Sequence, residues 1–323
     1  MCIRPISASH NPVGKPTLDP EGELKIPCGK CHECITLRAS DWATRTQHEL
    51  GDHNENCCVT LTYDDDHPYD IFNRKKEFQL FMKSLRDYEK YKKIKYLCSH
   101  EFGTKKQRLH HHCLLFGHSF PDMYHFKTTD KGTKLYKSRT LDKIWKRGFA
   151  FIGEASVKTG FYIASYALKS TKQKLYDQFG EEREINDTMT TSNRPAIGKK
   201  YLLRNYRQLV LTGERLPRYY KKLMKQYHDE PRNYWLKKLA DPDDPFGISE
   251  LNQLQDMDSY LSLYEQMQDP RIRDSQEILA KCALMRSKLK IDSHYRKKSF
   301  ALEENLNYNL LKEEFTSYLT LEK

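Results

Sequence analysis

No apolar run in this 323-residue sequence is long enough to cross a bilayer, which takes about 20 such residues in succession. The first residues, Met1-Cys-Ile-Arg-Pro-Ile6, lack the apolar core of a secretory signal. No internal repeat and no long low-complexity segment is present, which sets aside repeat arrays and compositionally biased tracts. The nine cysteines are odd in number, and four fall within the first 34 residues. Such crowding in a reducing cytosol favours metal binding over cross-linking, although a second Cys-x-x-Cys pair farther along is missing. These absences read as a soluble intracellular protein. What the chain has in excess is positive charge: 55 Lys+Arg against 44 Asp+Glu give +11. That balance points to an anionic partner such as nucleic acid, without proving binding or catalysis.

The early cysteines form Pro27-Cys28-Gly-Lys-Cys31-His32-Glu-Cys34. This spacing lets a tight knuckle aim several thiolates at one point, and Cys2 or His32 would supply the fourth ligand of a zinc ion. The competing reading is a reduced turn that caps the next helix. That helix should run over 35–50, with Ile35, Ala39, Trp42 and Ala43 on one face and Trp42 as a core anchor. Residues up to Ile26 read as irregular. Asn56-Cys-Cys-Val-Thr-Leu-Thr-Tyr63 has the make-up of a central strand, followed by a solvated acidic turn at Asp64, Asp65 and Asp66. Phe78, Phe81, Met82 and Leu85 recur at helical spacing, so an amphipathic helix is expected over 73–90, lying on the sheet. Residues 119–148 read as a loop-rich insert with a short helix near 141–146, and 149–153 as a strand.

The densest chemistry lies in Glu101-Phe-Gly-Thr-Lys-Lys-Gln-Arg108-Leu-His110-His111-His112-Cys-Leu-Leu-Phe-Gly117. In a strand alternate side chains share a face, so His110 and His112 point one way and His111 and Cys113 the other. Two imidazoles on one face can share a metal. A β-rich run precedes Glu101, and residues 103–107 can turn the chain back as a hairpin that delivers this carboxylate beside them. Two nitrogens and a carboxylate with positions left open suit a catalytic divalent ion better than a closed structural zinc. A surface hairpin with solvated histidines is the plain alternative.

Farther on, Ser156 can cap a helix that carries Tyr162, Tyr166 and Lys169. Tyrosines four apart share a helical face, about 6 Å from each other, with Lys169 on or near it. A tyrosine hydroxyl, with a free pKa of about 10, attacks phosphorus only with help from a base or a cation. With a divalent ion held by His110, His112 and Glu101, Tyr162 or Tyr166 could expel a 3′-oxygen and become a 5′-phosphotyrosine. Lys169 would steady the phosphate or protonate the leaving oxygen.

These blocks, together with Leu61-Thr-Tyr-Asp64, Ser192-Asn-Arg-Pro-Ala-Ile-Gly198 and Leu216-Pro-Arg-Tyr-Tyr220, follow one another in a familiar order. The sequence resembles the gokushovirus-type replication-associated proteins of the microvirus family of small single-stranded DNA bacteriophages, within the wider HUH endonuclease superfamily. The likeness covers most of residues 1–225. It implies a site-specific nickase and ligase that starts and terminates rolling-circle replication, with His110 and His112 as metal ligands, Glu101 as the third, and Tyr162 and Tyr166 as nucleophiles. Mg2+ or Mn2+ is the expected ion, since a carboxylate and phosphate oxygens complete its shell. The implied partners are phage origin DNA, single-stranded or supercoiled duplex, with host helicase and DNA polymerase, in the cytoplasm of the bacterial host. Three positions depart from the family pattern: His111 stands at a usually apolar position, Leu109 at a frequent proline, and Ala196 where glycine is common.

From residue 193 to 226 there are ten Lys/Arg against one acid, Glu214. Arg194, Lys199, Lys200, Arg204 and Arg218 are the expected DNA contacts, with Tyr201, Tyr206, Tyr219 and Tyr220 interleaved as rings for bases. A solvated basic helix pair is the bland alternative. Beyond Pro242, heptad-like apolar residues suggest helices for partner docking or self-association. The expected fold is α+β: an HUH-endonuclease-like antiparallel sheet of about five strands with packed helices. Its expected segments are a Cys-rich knuckle and first helix over 1–50, a nuclease core over 51–180, a basic DNA-binding segment over 181–240 and a helical C-terminal extension over 241–323. Two other functions fit the same residues: a zinc-stabilised, non-catalytic single-stranded nucleic-acid-binding protein, and a nuclease using metal-activated water without a covalent adduct.

Overall fold

A computed structural model describes residues 2–11, 16–67, 69–70, 72–103, 108–130, 132–168, 172–176, 181–225, 247–269 and 275–288. In chain order the elements of the first part are β1 (Ile6–Ser9), β2 (Thr17–Leu18), β3 (Leu24–Ile26), α1 (His32–Leu50), β4 (Asn56–Tyr63), α2 (Arg74–Tyr88), β5 (Lys95–Phe102) and β6 (Leu109–Phe116). They continue with β7 (Tyr124–Thr128), β8 (Lys134–Lys137), α3 (Arg139–Trp145), β9 (Gly148–Gly153), α4 (Val157–Leu168), β10 (Lys172–Tyr176), β11 (Glu182–Asn186) and β12 (Thr188–Thr191). Four more helices follow: α5 (Lys199–Leu211), α6 (Arg218–Met224), α7 (Gly247–Gln268) and α8 (Gln276–Lys288).

The main sheet has seven strands in the order β12-β5-β6-β4-β9-β8-β7, and every pairing in it is antiparallel. The expected α+β class is therefore present, but the count of about five strands is corrected to seven. The added strands are β7 and β8, inside the stretch read as loop-rich, and β12. All five residues of β7 are exposed, so no buried alternation marked it as a strand. Residues before Pro27 also differ from the irregular reading. They form a small sheet, β2-β1-β3, whose strands of two to four residues are too short for a period of two to register.

β4 sits at the centre of the large sheet, and its side chains alternate. Cys57, Val59, Leu61 and Tyr63 are buried on the face covered by Phe78, Phe81, Met82 and Leu85 of α2 and by Leu141 and Trp145 of α3. Fully burying an aliphatic or phenyl side chain contributes about 1.5–3 kcal/mol, which anchors α2 more firmly than its intrinsic propensity would. On the opposite face Leu97, Leu114 and Phe116 meet Ile163 of α4, with Trp42 and Leu50 of α1 beside them. Trp42 is thus a core residue, and the Arg45 guanidinium stacks 4.0 Å from its ring centroid. A buried carboxylate ties this layer down: Glu49 accepts from Lys95 Nζ at 2.5 Å and from the Gly198 amide at 2.7 Å. Burial opposes its ionisation, but Lys95, Gly198 and His53 outweigh it and hold its pKa below the ordinary value.

α4 approaches α1 at Gly160. A Cβ there would lie 2.6 Å from Thr46 Cγ2 and 2.8 Å from Thr46 Cβ, and the latter atom is fixed to the backbone. Gly160→Ala should therefore lose about 1–3 kcal/mol to overpacking, against a gain of about 1 kcal/mol in helix propensity. A lower urea midpoint is the expected reading; a raised midpoint would mean that α4 can move off without penalty.

The chain divides into two compact units, 1–198 and 199–323. In the second, α5 to α8 share one core built on Leu202, Tyr206, Val210, Tyr220, Met257, Leu261 and Tyr264.

Candidate functional site

β5 and β6 form the expected hairpin, and their register sets Glu101 opposite His110 and Ser99 opposite His112. On the other side of β6, β4 sets Thr62 opposite His110 and Thr60 opposite His112. Directly opposed residues share a sheet face, so one face gathers Glu101, both histidines and both threonines. Thr62 Oγ1 lies 2.8 Å from His110 Nδ1, and Thr60 Oγ1 lies 3.2 Å from His112 Nδ1. A hydroxyl on Nδ1 fixes each ring and leaves Nε2 as the coordinating nitrogen, the arrangement that orients metal-binding imidazoles. The two ring centroids are 6.3 Å apart. Ser99 Oγ donates to Glu101 Oε1 at 2.5 Å, which tips the carboxylate along β5 toward the His112 row. A Cβ at Gly103 would fall 2.8 Å from His110 Nε2, so glycine leaves that ring its space.

Burial holds the His110 pKa below its ordinary value and pushes that of His112 down to about 4. Both rings are neutral at pH 7, the form that binds a metal. His111 faces the other way, as strand alternation requires. It is fully buried, with Nδ1 2.8 Å from His100 Nδ1 and the rings of Tyr63, Phe78 and Trp145 around it. Its usually apolar position is accordingly a core position here, filled by a neutral imidazole.

Ser156 caps α4 as expected, its Oγ accepting the Thr159 amide at 3.2 Å. The helix lays the edge of the Tyr162 ring against His112, with centroids 5.9 Å apart and planes at 88°. Tyr166 follows one turn later in α4, and its side chain lies outside the described residues, as does Lys169. The structure thus brings Glu101, His110, His112 and Tyr162 onto one face. Thr60 and Thr62 were not singled out in the sequence; the Thr-Leu-Thr alternation in the central strand was the signal for them.

At the N-terminus the sulfurs of Cys2, Cys28, Cys31 and Cys34 lie within 4.8 Å of one another. Cys28 and Cys34 are 4.0 Å apart and Cys2 and Cys31 are 3.8 Å apart, close to the edge of about 3.8 Å that a tetrahedral Zn–S4 site with bonds of about 2.3 Å would have. All four are free thiols. Backbone amides of Lys30 and Cys31 pull the Cys28 pKa down to about 6, while burial pushes Cys34 up to about 12. The cluster could hold a metal ion, and Cys2 rather than His32 closes it.

Of the expected DNA contacts, Lys199, Lys200 and Arg204 lie on α5 and Arg218 begins α6. Arg194 precedes a cis proline, and it is exposed, as are Lys200, Arg204 and Arg218. The interleaved rings are a correction. Tyr206 and Tyr220 are 4% and 0% exposed, and the Tyr206 hydroxyl donates to the Asp256 carboxylate. Tyr206 falls on the helical stripe of Leu202, Leu209 and Val210, and that period of about 3.6 puts it in the core. The acidic turn after β4 is exposed at Asp65 and Asp66, and Asp65 pairs with Arg108.

A family model for replication-associated proteins of the ORF2 type matches residues 56–171, the span from β4 past α4. Replication-associated protein VP4 of Bdellovibrio phage phiMH2K is 29% identical over 251 residues, covering 71% of this chain and 78% of the relative. Replication-associated protein ORF4 of Chlamydia phage 1 is 32% identical over 231 residues, with 65% of this chain and 56% of the relative covered. Replication-associated protein ORF2 of Spiroplasma virus 4 is 30% identical over 227 residues, with 64% and 69% covered. No solved structure matches the chain.

Proposed function

The chain belongs to the microvirus-type replication initiators, the replication-associated proteins of small phages, and on that premise we propose that it nicks the origin of a circular phage genome with a tyrosine nucleophile. The observation that carries this reading is the Tyr162 ring set 5.9 Å from His112 on the face that also holds His110 and Glu101. Neutral imidazoles fixed through Nδ1 and a carboxylate beside them suit Mg2+ or Mn2+ with phosphate oxygens in the remaining positions. Bound there, such an ion would supply Lewis-acid stabilisation of the phosphoryl charge. Thr60 and Thr62 hold the rings, and α4 delivers the hydroxyl. Tyr162 Oη attacks phosphorus, the P–O3′ bond breaks, the phenol loses its proton and the 3′-oxygen takes one up. The 5′-phosphotyrosine keeps the phosphodiester energy, so a 3′-hydroxyl can later reverse the step and rejoin the strand. Tyr166 would serve as the second nucleophile, and Lys169 would steady the phosphate. Arg194, Lys199, Lys200, Arg204 and Arg218 would neutralise DNA backbone. Host helicase and DNA polymerase would act with it in the host cytoplasm. Among the described residues no helix is long and apolar enough to cross a membrane.

The test is incubation with a supercoiled plasmid carrying the genome's own origin region, with Mn2+ or with EDTA, read by denaturing gel and mass spectrometry. A metal-dependent nick with DNA attached through Tyr162 or Tyr166 is expected. Binding without a nick would favour a non-catalytic DNA-binding protein, and a nick without an adduct a water-using nuclease.

Zinc at Cys2, Cys28, Cys31 and Cys34 is the second part of this reading, supported by the convergence of the four sulfurs. Purified protein should carry stoichiometric zinc, and Cys28→Ser with Cys31→Ser should lose it; unchanged zinc content in the double variant would remove the site.

A further inference from the structure

The same sheet face extends beyond the histidines. β9 sets Phe149 opposite Thr62 and Phe151 opposite Thr60. Two rows therefore cross the sheet, Glu101-His110-Thr62-Phe149 and Ser99-His112-Thr60-Phe151. The second row continues onto the outer hairpin, where the Phe126 ring lies 5.6 Å from Phe151. Lys137 Nζ stands 5.0 Å from the Phe126 centroid and 5.5 Å from that of Phe151. α4 covers the β12, β5 and β6 side of this face, and the β9, β8 and β7 side is left open. There Phe149 is 49% exposed, Phe126 46% and Tyr124 50%, an uncommon grouping of large rings at a sheet's edge.

The geometry points to a binding platform for single-stranded DNA on β7, β8 and β9, which seats the nucleotides next to the phosphate held at His110 and His112. This inference rests on the reading given under Proposed function and adds where the flanking strand lies. Unpaired bases present their faces to aromatic rings, and a cation beside those rings meets the phosphates; duplex DNA hides its base faces. The chain's net charge of +11 complements that ligand. Neighbouring strands are about 4.8 Å apart, so β9 lies about 10 Å from the histidine strand and β7 about 19 Å from it, a reach that an extended single strand can follow. The rings sought between residues 193 and 226 are largely in the core of the second unit; exposed ones are here.

The test is fluorescence anisotropy with a short labelled oligothymidylate and, separately, a duplex of the same length, in the full chain. Phe126→Ala and Phe149→Ala should each weaken oligothymidylate binding on the order of tenfold, with duplex binding little changed. Phe149→Trp should restore binding, which a merely structural role would not require. Lys137→Ala should reduce the slope of log affinity against log salt by about one. Unchanged oligothymidylate affinity in the Phe126→Ala, Phe149→Ala double variant, with its thermal melt intact, overturns the platform. Equal loss on duplex and single strand overturns it too. So does loss of self-association in place of DNA affinity, seen by sedimentation, which would assign the patch to a contact between copies of this chain. Anisotropy needs no nick, so the platform and the tyrosine chemistry fail separately: weakened binding without any adduct would keep the first and sink the second.

Discussion

Tyr162→Phe combined with Tyr166→Phe should abolish the covalent protein–DNA adduct and reduce origin nicking on the order of 10^3-fold or more, while DNA affinity stays within a few-fold of the parent. The substitution removes only the hydroxyl. The ring at 162 keeps its edge-on contact with His112, and the threonine hydrogen bonds that fix His110 and His112 are untouched, so metal binding and folding should persist. Each single variant then separates the two roles. If Tyr162 makes the first cut, Tyr162→Phe alone loses the initial adduct, and Tyr166→Phe still cuts but fails to complete strand transfer. Nicking at the parental rate in the double variant would sink the tyrosine mechanism and leave water as the nucleophile. Denaturing gels of end-labelled DNA, before and after protease digestion, distinguish these results.

The second large effect is acid unfolding. Burial pushes the pKa of His48 down to about 4 and that of His100 to about 3, and holds His111 well below its ordinary value. The unfolded chain takes up these protons near pH 6.5, whereas the folded chain refuses them until far lower. Stability is therefore full above pH 6.5 and falls as the pH drops toward these depressed values. At about 1.4 kcal/mol per pH unit and group, His48 and His100 together favour the unfolded state by about 4 kcal/mol at pH 5. His111 adds to this in the same direction. Set against a typical domain stability of about 5–15 kcal/mol, the loss should unfold the first unit between about pH 5 and 4. Urea midpoints followed by circular dichroism from pH 7.5 to 4.5 check it, and a midpoint constant down to pH 5 would refute the buried neutral histidines.

His111 shows how much of the site was legible in the sequence. Strand alternation alone put His110 and His112 on one face, and the hairpin turn put Glu101 beside them. Their orientation was not legible, because the threonines that hold them come from a strand some fifty positions earlier in the chain, with His110 and Thr62 separated by 48 residues. Only pairing in the sheet aligns such distant residues. Tyr206 and Tyr220 went the other way: interleaving with cations made them look like stacking rings, and helical packing with α7 buried them. The hairpin of β7 and β8 escaped notice because an exposed edge strand carries no buried face to leave a period.

The sequence by itself determined the antiparallel α+β plan, the alternation of the histidines, the Ser156 cap, and the family to which the chain belongs. These rest on local rules, in which neighbours along the chain decide which way a side chain points. Tertiary structure alone decided that Cys2 closes the sulfur cluster, that Gly160 lets α4 come close enough to bring Tyr162 to His112, and that Phe149 and Phe126 share the face of the two histidines. Each of these joins residues far apart in the chain, and only the packing of sheet and helices brings them within contact distance.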